Sequence, residues 1–231
     1  LVCFSKDTCF NVCIECGGCT EKEFSLNWFK GFGHSSYPGN PSEPAIANVS
    51  DFYIDADATH YFTTGHYQGI ASTNLPDFPG TAVAPNVTDC FVNKYELDGA
   101  LVWSFSITGD QLDQGLVIKK SPSTNEFFVA GIFNSSSITF PSSIMPYNTT
   151  LIRKGNGTNV FLAKYLDLGT TVQLLWSLNM GNDQRMQISD LDIDNSGNPV
   201  IIGVFTNEIN FDPITNTIGA VNNNRVEDFY L

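Results

Sequence analysis

No run of about 18 consecutive apolar residues occurs in this chain, so no segment has the makings of a membrane-spanning helix. Helical periodicity is missing as well. No window keeps an apolar stripe at 3.6-residue spacing between an N-cap and a C-cap. Basic residues are scarce: 11 Lys and Arg face 24 Asp and Glu, for a net charge of −13. Phosphate backbones and anionic lipid both require a basic surface, so neither nucleic acid nor a charged membrane is expected as a partner. The acidic excess favours solubility through self-repulsion and some attraction for calcium. GxSxG, HExxH and P-loop motifs are also missing. Asp110 and Asp113 in GDQLDQG come nearest to a paired-acid constellation, and their position in the sequence reads as turn and cap. His60 and His66 flank what reads as a hairpin carrying Gly65, but no Cys or carboxylate completes a metal site with them or with His34. No enzymatic activity is expected.

What is plentiful points to strands and turns. The 231 residues include 18 Phe, 8 Tyr, 19 Gly and 11 Pro, with many Val, Ile, Thr and Asn. Aromatic and β-branched residues suit a pleated surface, and Gly, Pro and Asn suit the connections. The length is enough to bury a sizeable core.

Five of the six Cys fall in CFSKDTCFNVCIECGGC, at Cys3, Cys9, Cys13, Cys16 and Cys19; the sixth is Cys90. The CxxCxxC run has the look of part of an iron–sulfur or zinc ligand set, but no His is near and no second CxxC follows. The favoured reading is a disulfide-stapled arm with one long-range bridge to Cys90. Sequons occur at Asn48, Asn86, Asn134, Asn148 and Asn156, three of them in a Ser/Thr/Pro-rich loop over 134–156. Together these features predict an oxidising, extracellular or cell-surface setting with N-linked glycans.

Self-similarity organises the rest. TDCFVNKYELDGALVW (88–103) matches TNVFLAKYLDLGTTVQLLW (158–176), aligning Phe91 with Phe161, Lys94 with Lys164, Tyr95 with Tyr165 and Trp103 with Trp176. The three Trp, at 28, 103 and 176, lie 75 and 73 residues apart. A second block, beginning SDFYIDADAT, QGLVIKKSPS and SDLDIDNSGN, runs into Gly65, Gly131 and Gly203, each followed two residues later by Tyr67, Phe133 or Phe205. Each unit therefore reads as a β-meander: a D-I-D strand, a Gly-x-aromatic strand, a FLAKY strand and a Trp strand. Repetition on this scale indicates a solenoid, propeller or array.

GNDQRMQISDLDIDNSGNPVIIGVFTNEINFDP resembles the SBBP-type β-propeller repeat, with its Gly-x-x-Asp start, Ser-Gly-Asn turn, Gly-x-aromatic strand and Phe-Asp-Pro. DCFVNKYELDGALVW resembles the element that accompanies that repeat. The resemblance implies propeller-like blades in an extracellular or surface protein, typically without a known catalytic site. A period of about 74 exceeds that of common blades, and three copies are too few for a closed ring. The expected fold is thus all-β, a repeat of antiparallel β-meanders that does not close into a ring on its own. A Cys-rich arm (1–23) precedes three units (about 24–96, 97–169 and 170–231), the last incomplete.

The ends are complementary in the repeat. VEDFYL reads as the first half of a further FLAKY strand, with Phe229 in phase with Phe91 and Phe161, followed by Tyr230 and Leu231. FSLNWFKGFG supplies a Trp strand at Trp28 without the strand before it. Open strand edges template association with other chains. The expected partners are therefore copies of the chain itself, joined head to tail into a filament. The alternative is a propeller-like adhesion or carbohydrate-binding module cut from a larger secreted protein. Asp192, Asp194 and Ser196 resemble the start of a calcium loop but lack its bidentate Glu, so a hairpin turn is the stronger expectation there.

Overall fold

In the computed structural model the chain divides into two compact units, Leu1–Gly31 and Phe32–Leu231. The residues described are 2–5, 8–10, 46–55, 57, 59–68, 87–143, 149–181, 183–206, 208–209, 220–221 and 228–230. In the first unit, β1 (Val2–Ser5) pairs antiparallel with β2 (Thr8–Phe10).

The second unit is built from meanders. The first sheet runs β3 (Ile46–Ile54), β4 (His60–Gln68), β5 (Asp89–Glu96), β6 (Leu101–Ile107), each strand paired with the next. The second sheet contains β7 (Asp113–Lys120) and β8 (Glu126–Phe133). A side hairpin of β9 (Ser137–Phe140) and β10 (Thr149–Ile152) follows, where the sequence had suggested a plain loop over 134–156. The second sheet then resumes with β11 (Asn159–Asp167) and β12 (Val172–Met180), in the order β7-β8-β11-β12. The third sheet begins with β13 (Met186–Ile193) and β14 (Pro199–Phe205). The short pair β15 (Glu208–Ile209) and β16 (Ala220–Val221) precedes β17 (Asp228–Tyr230), which completes the order β13-β14-β17. The described residues are all-β, without a helix and without a closed barrel or ring.

Backbone register shows the repeat more sharply than residue identity does. Gly65 faces Phe91, Gly131 faces Phe161 and Gly203 faces Tyr230. The pairing of first and second strands skips one residue at the same place in every sheet, after Val49, Gly115 and Ile188. A second skip recurs after Lys94 and Lys164. Such bulges bend a strand and increase its twist; the first recurs in all three copies and the second in the first two. The register also corrects the phase of the last strand. Tyr230, rather than Phe229, is the counterpart of Phe91 and Phe161, so DFYL matches DCFV and NVFL. The glycines in these rows have a steric cause. A Cβ on Gly65 would collide with the Asn48 carbonyl, and one on Gly131 with the Gln114 carbonyl, while the Phe91 and Phe161 rings lie within 2.9 Å and 2.8 Å of those positions.

Alternation along each strand sorts the core into two clusters. From β8, Phe127, Val129 and Phe133 enter a cluster shared with the first sheet, whereas Phe128 and Ala130 enter one shared with the third. On β11, Phe161, Ala163 and Tyr165 take the first side and Val160 and Leu162 the second. The second sheet is therefore buried on both faces, stacked between its neighbours in the repeat.

Candidate functional site

The junction between the first and second sheets is aromatic. Phe127 stacks against Trp103 (centroids 5.6 Å apart) and against Tyr165 (5.4 Å), and Phe62 meets Phe127 at 5.8 Å. Polar contacts also clamp it. Lys94 Nζ donates to Asp167 Oδ2 at 2.8 Å, and Trp103 Nε1 donates to Asp167 Oδ1 at 3.1 Å. The amide of Ile118 on β7 donates to Asp51 Oδ2 of β3 at 2.9 Å. Lys94 and Asp167 are 4% and 7% exposed, so the pair is desolvated and depends on its geometry. The two residues sit 73 positions apart, one repeat length.

The junction between the second and third sheets is mostly aliphatic. Val117, Phe128, Val160 and Leu162 face Met186, Ile188, Leu191 and Phe205. Lys164, the counterpart of Lys94, turns to Glu126 Oε2 within its own sheet at 2.8 Å. Val117 stands where Asp51 stands in the first copy, so the clamp to the next first strand is lost. The Leu191 amide donates instead to Asp190 Oδ1 beside it, at 2.8 Å.

Two buried carboxyls tie the crossover from the first sheet to the second. Asp89 Oδ1 accepts the Gly109 amide at 3.1 Å. Asp113 Oδ1 accepts the amides of Asn134 and Ser135, both at 3.2 Å, and its Oδ2 accepts the Ser135 hydroxyl at 2.5 Å. Burial pushes both carboxyls up to about 6. Neighbouring Asp110 accepts the Ser136 amide and hydroxyl, each at 2.8 Å, and these bonds lower its pKa. Asp110 and Asp113 thus fasten turns, as their place in the sequence suggests. The counterparts of Asp89 and Asp113 at the second crossover are Asn159 and Met186, neither of which titrates as an acid. Asn159 instead fastens the loop before its own strand, accepting the Lys154 amide at 2.7 Å and donating to the Lys154 carbonyl at 2.9 Å.

The calcium-like stretch is a hairpin. Asp194 Oδ1 accepts the amides of Ser196 and Asn198, both at 2.8 Å, and its Oδ2 accepts Asn198 Nδ2 at 3.1 Å. Gly197 has φ +80°, and Asp192 Oδ1 accepts the Ile193 amide at 2.9 Å. Among the described residues no three His, Cys, Asp or Glu side chains converge on a metal-sized site. His60 and His66 lie on one strand, β4, with Gly65 inside that strand rather than at a turn. The hairpin lies before His60, where Asp55 Oδ1 accepts the amides of Thr59 at 3.2 Å and His60 at 2.9 Å. His60 also lies 3.4 Å from Glu96. A cleft of about 330 Å³ opens beside this turn, lined by Asp57, Lys120 and the polar turn Ser121–Asn125.

Cys90 departs from the expected bridge. It is a free thiol, fully buried between the first and second sheets, with Sγ 3.8 Å from Thr64 Oγ1. The bare Cα of Gly115 makes room for the sulfur, since a Cβ there would come within 2.7 Å of it. Burial raises the thiol pKa, which keeps it protonated and inert. Cys3 and Cys9 are cross-strand backbone partners on β1 and β2. Cys13, Cys16, Cys19, Trp28, His34, Asn86, Asn148 and Leu231 lie outside the described residues. Asn48 and Asn156 are exposed, Asn134 is half-buried, and Phe229 and Tyr230 belong to β17.

Sequence reasoning missed the clamp. Its signal was Lys94 and Lys164 at one phase of a strand that is otherwise buried, where a cation needs a partner. Asp167 was hidden because the first copy has Leu97 in its place. No protein-family model matches the chain, and no curated protein matches it.

Proposed function

We propose that this chain is an extracellular structural glycoprotein of the SBBP-like repeat type that associates with copies of itself head to tail. One observation carries the reading. The first and second sheets each end on a Trp strand, β6 or β12, paired to the FLAKY strand, whereas β17 carries no further strand among the described residues. An unpaired strand edge is a template for a strand from another molecule. The sequons at exposed Asn48 and Asn156 suit a glycosylated surface, and a non-closing head-to-tail contact propagates as a filament. Electron microscopy of the purified secreted chain tests this, together with mass measurement before and after glycosidase treatment. Filaments or open oligomers with a glycan mass shift are expected. Isolated single chains at high concentration would overturn self-association, and an unchanged mass would overturn the glycoprotein reading.

A further inference from the structure

The internal junctions show which residues one sheet offers the next. At the front of each sheet, the residue of the first strand that follows the bulge is buried against the sheet before it: Ile118 on β7, 0% exposed, and Leu191 on β13, 1% exposed. By the shared bulge register their counterpart on β3 is Phe52, which is 62% exposed. Two residues on, Ile54 is 50% exposed, whereas its counterpart Ile193 packs against the second cluster. At the back of each sheet, the second strand sends residues toward the sheet after it. Phe62 and Phe128 fill that position, both 0% exposed. Their counterpart Val200 on β14 is 40% exposed, and Ile202, the counterpart of fully buried Ala130, is 43% exposed. Among the described residues, the front of the first sheet and the back of the third are thus left uncovered. Neither fills the other within one molecule, because both are open in the single chain.

We infer that these two faces are one interface seen from its two sides: the β13–β14 face of one molecule receives the β3 face of a second copy. The occupant is a second copy because the missing complement of each patch is the other patch, set by the rule the two internal junctions already follow. A polar contact accompanies it. Asp51 accepts the Ile118 amide at the first internal junction. Asp190 is the counterpart of Asp51 and is exposed, and the Phe52 amide is the counterpart of the Ile118 amide, so Asp190 is placed to accept it from the incoming copy. Because the faces differ, the contact is heterologous and propagates. The inference rests on the self-association proposed above, but it assigns the contact to stacked sheet faces rather than to exchanged strands.

Sedimentation velocity over a concentration series tests it with two surface variants, Phe52→Asp for the front and Val200→Asp with Ile202→Asp for the back. All three positions are exposed in the single chain, so the variants keep the fold, which far-UV circular dichroism checks. The wild-type chain is expected to grow with concentration, and each variant alone to lose that growth, with association weakened about tenfold or more. An equimolar mixture of the two variants retains one intact front and one intact back, so it is expected to form two-chain species and nothing larger. If the variants associate as the wild type does, the stacked faces are wrong and self-association stands by another route. A mixture that stays monomeric also overturns the interface. A wild-type chain that never associates overturns both readings.

Discussion

Between the first and second sheets, Phe127 is held between Trp103 and Tyr165, and the buried Lys94–Asp167 pair crosses from one sheet to the other. Between the second and third sheets, Met186, Ile188 and Leu191 replace the aromatic stack, and the corresponding lysine, Lys164, bonds within its own sheet. The first two strands of each sheet, with their bulge and register, are the same on both sides. What differs is how firmly the junction specifies its partner. Apolar burial is non-directional and accepts any surface of suitable shape. A desolvated lysine needs one carboxylate at one place. The first junction is therefore selective and the second permissive.

The largest expected effect tests that selectivity. Asp167→Ala leaves Lys94 and the Trp103 indole buried without their acceptor, and a loss of about 3–5 kcal/mol is expected in urea unfolding. If Asp167→Ala costs no more than a surface substitution, the contrast between the junctions collapses. Next comes Met186→Ala, which removes a buried side chain from the aliphatic junction at about 2–4 kcal/mol. Its damage is expected to be local. Hydrogen exchange would speed up in β13 and β14 while β4 and β5 keep their protection, and equal loss in all three sheets would instead mark a single cooperative core.

The third prediction concerns pH. Burial holds Asp89 and Asp113 at about 6 in the folded chain, above the ordinary range of a carboxyl. A carboxyl whose folded pKa is raised favours folding most below the unfolded value and loses that contribution as pH rises through the folded value. Acidifying from pH 7 to pH 5 is therefore expected to stabilise the first crossover by about 1 kcal/mol per carboxyl. Asp89→Asn with Asp113→Asn should flatten that part of the stability–pH curve, leaving the crossover as insensitive as the second one, which has Asn159 and Met186. An unchanged slope in the double variant would assign the dependence elsewhere. The smallest effect belongs to Glu126→Ala. It frees the partly exposed Lys164 and is expected to change stability by about 0–1 kcal/mol, measured in the same urea series.

Much of the architecture was legible in the residues. The D-I-D, Gly-x-aromatic, FLAKY and Trp blocks each became one strand, in that order, because a period-two apolar pattern with a buried face admits a single register. The turn role of Asp194 and the turn-fastening of Asp110 and Asp113 were readable for a similar reason: short acids hydrogen-bond backbone amides nearby in the chain. Other features were not readable. Phe229 looked like the match to Phe161 because it is the first aromatic in its strand, but the backbone places Tyr230 opposite Gly203. Cys90 looked like the far end of a disulfide because cysteines count in pairs, yet it is packed as a small apolar side chain against Gly115.

The residue pattern alone determined that the chain forms repeated antiparallel meanders, since strand period, turn chemistry and the spacing of the aromatics act over a few neighbours. Which faces are filled was decided only by tertiary structure. Val200 and Phe128 are both apolar residues on a Gly-x-aromatic strand, as are Phe52 and Ile118 on first strands, and nothing local separates a core position from an exposed one. Burial depends on whether another sheet lies opposite, and that depends on long-range stacking. The same holds for Lys94 and Asp167, whose contact spans 73 residues and exists only because one sheet is laid on the next.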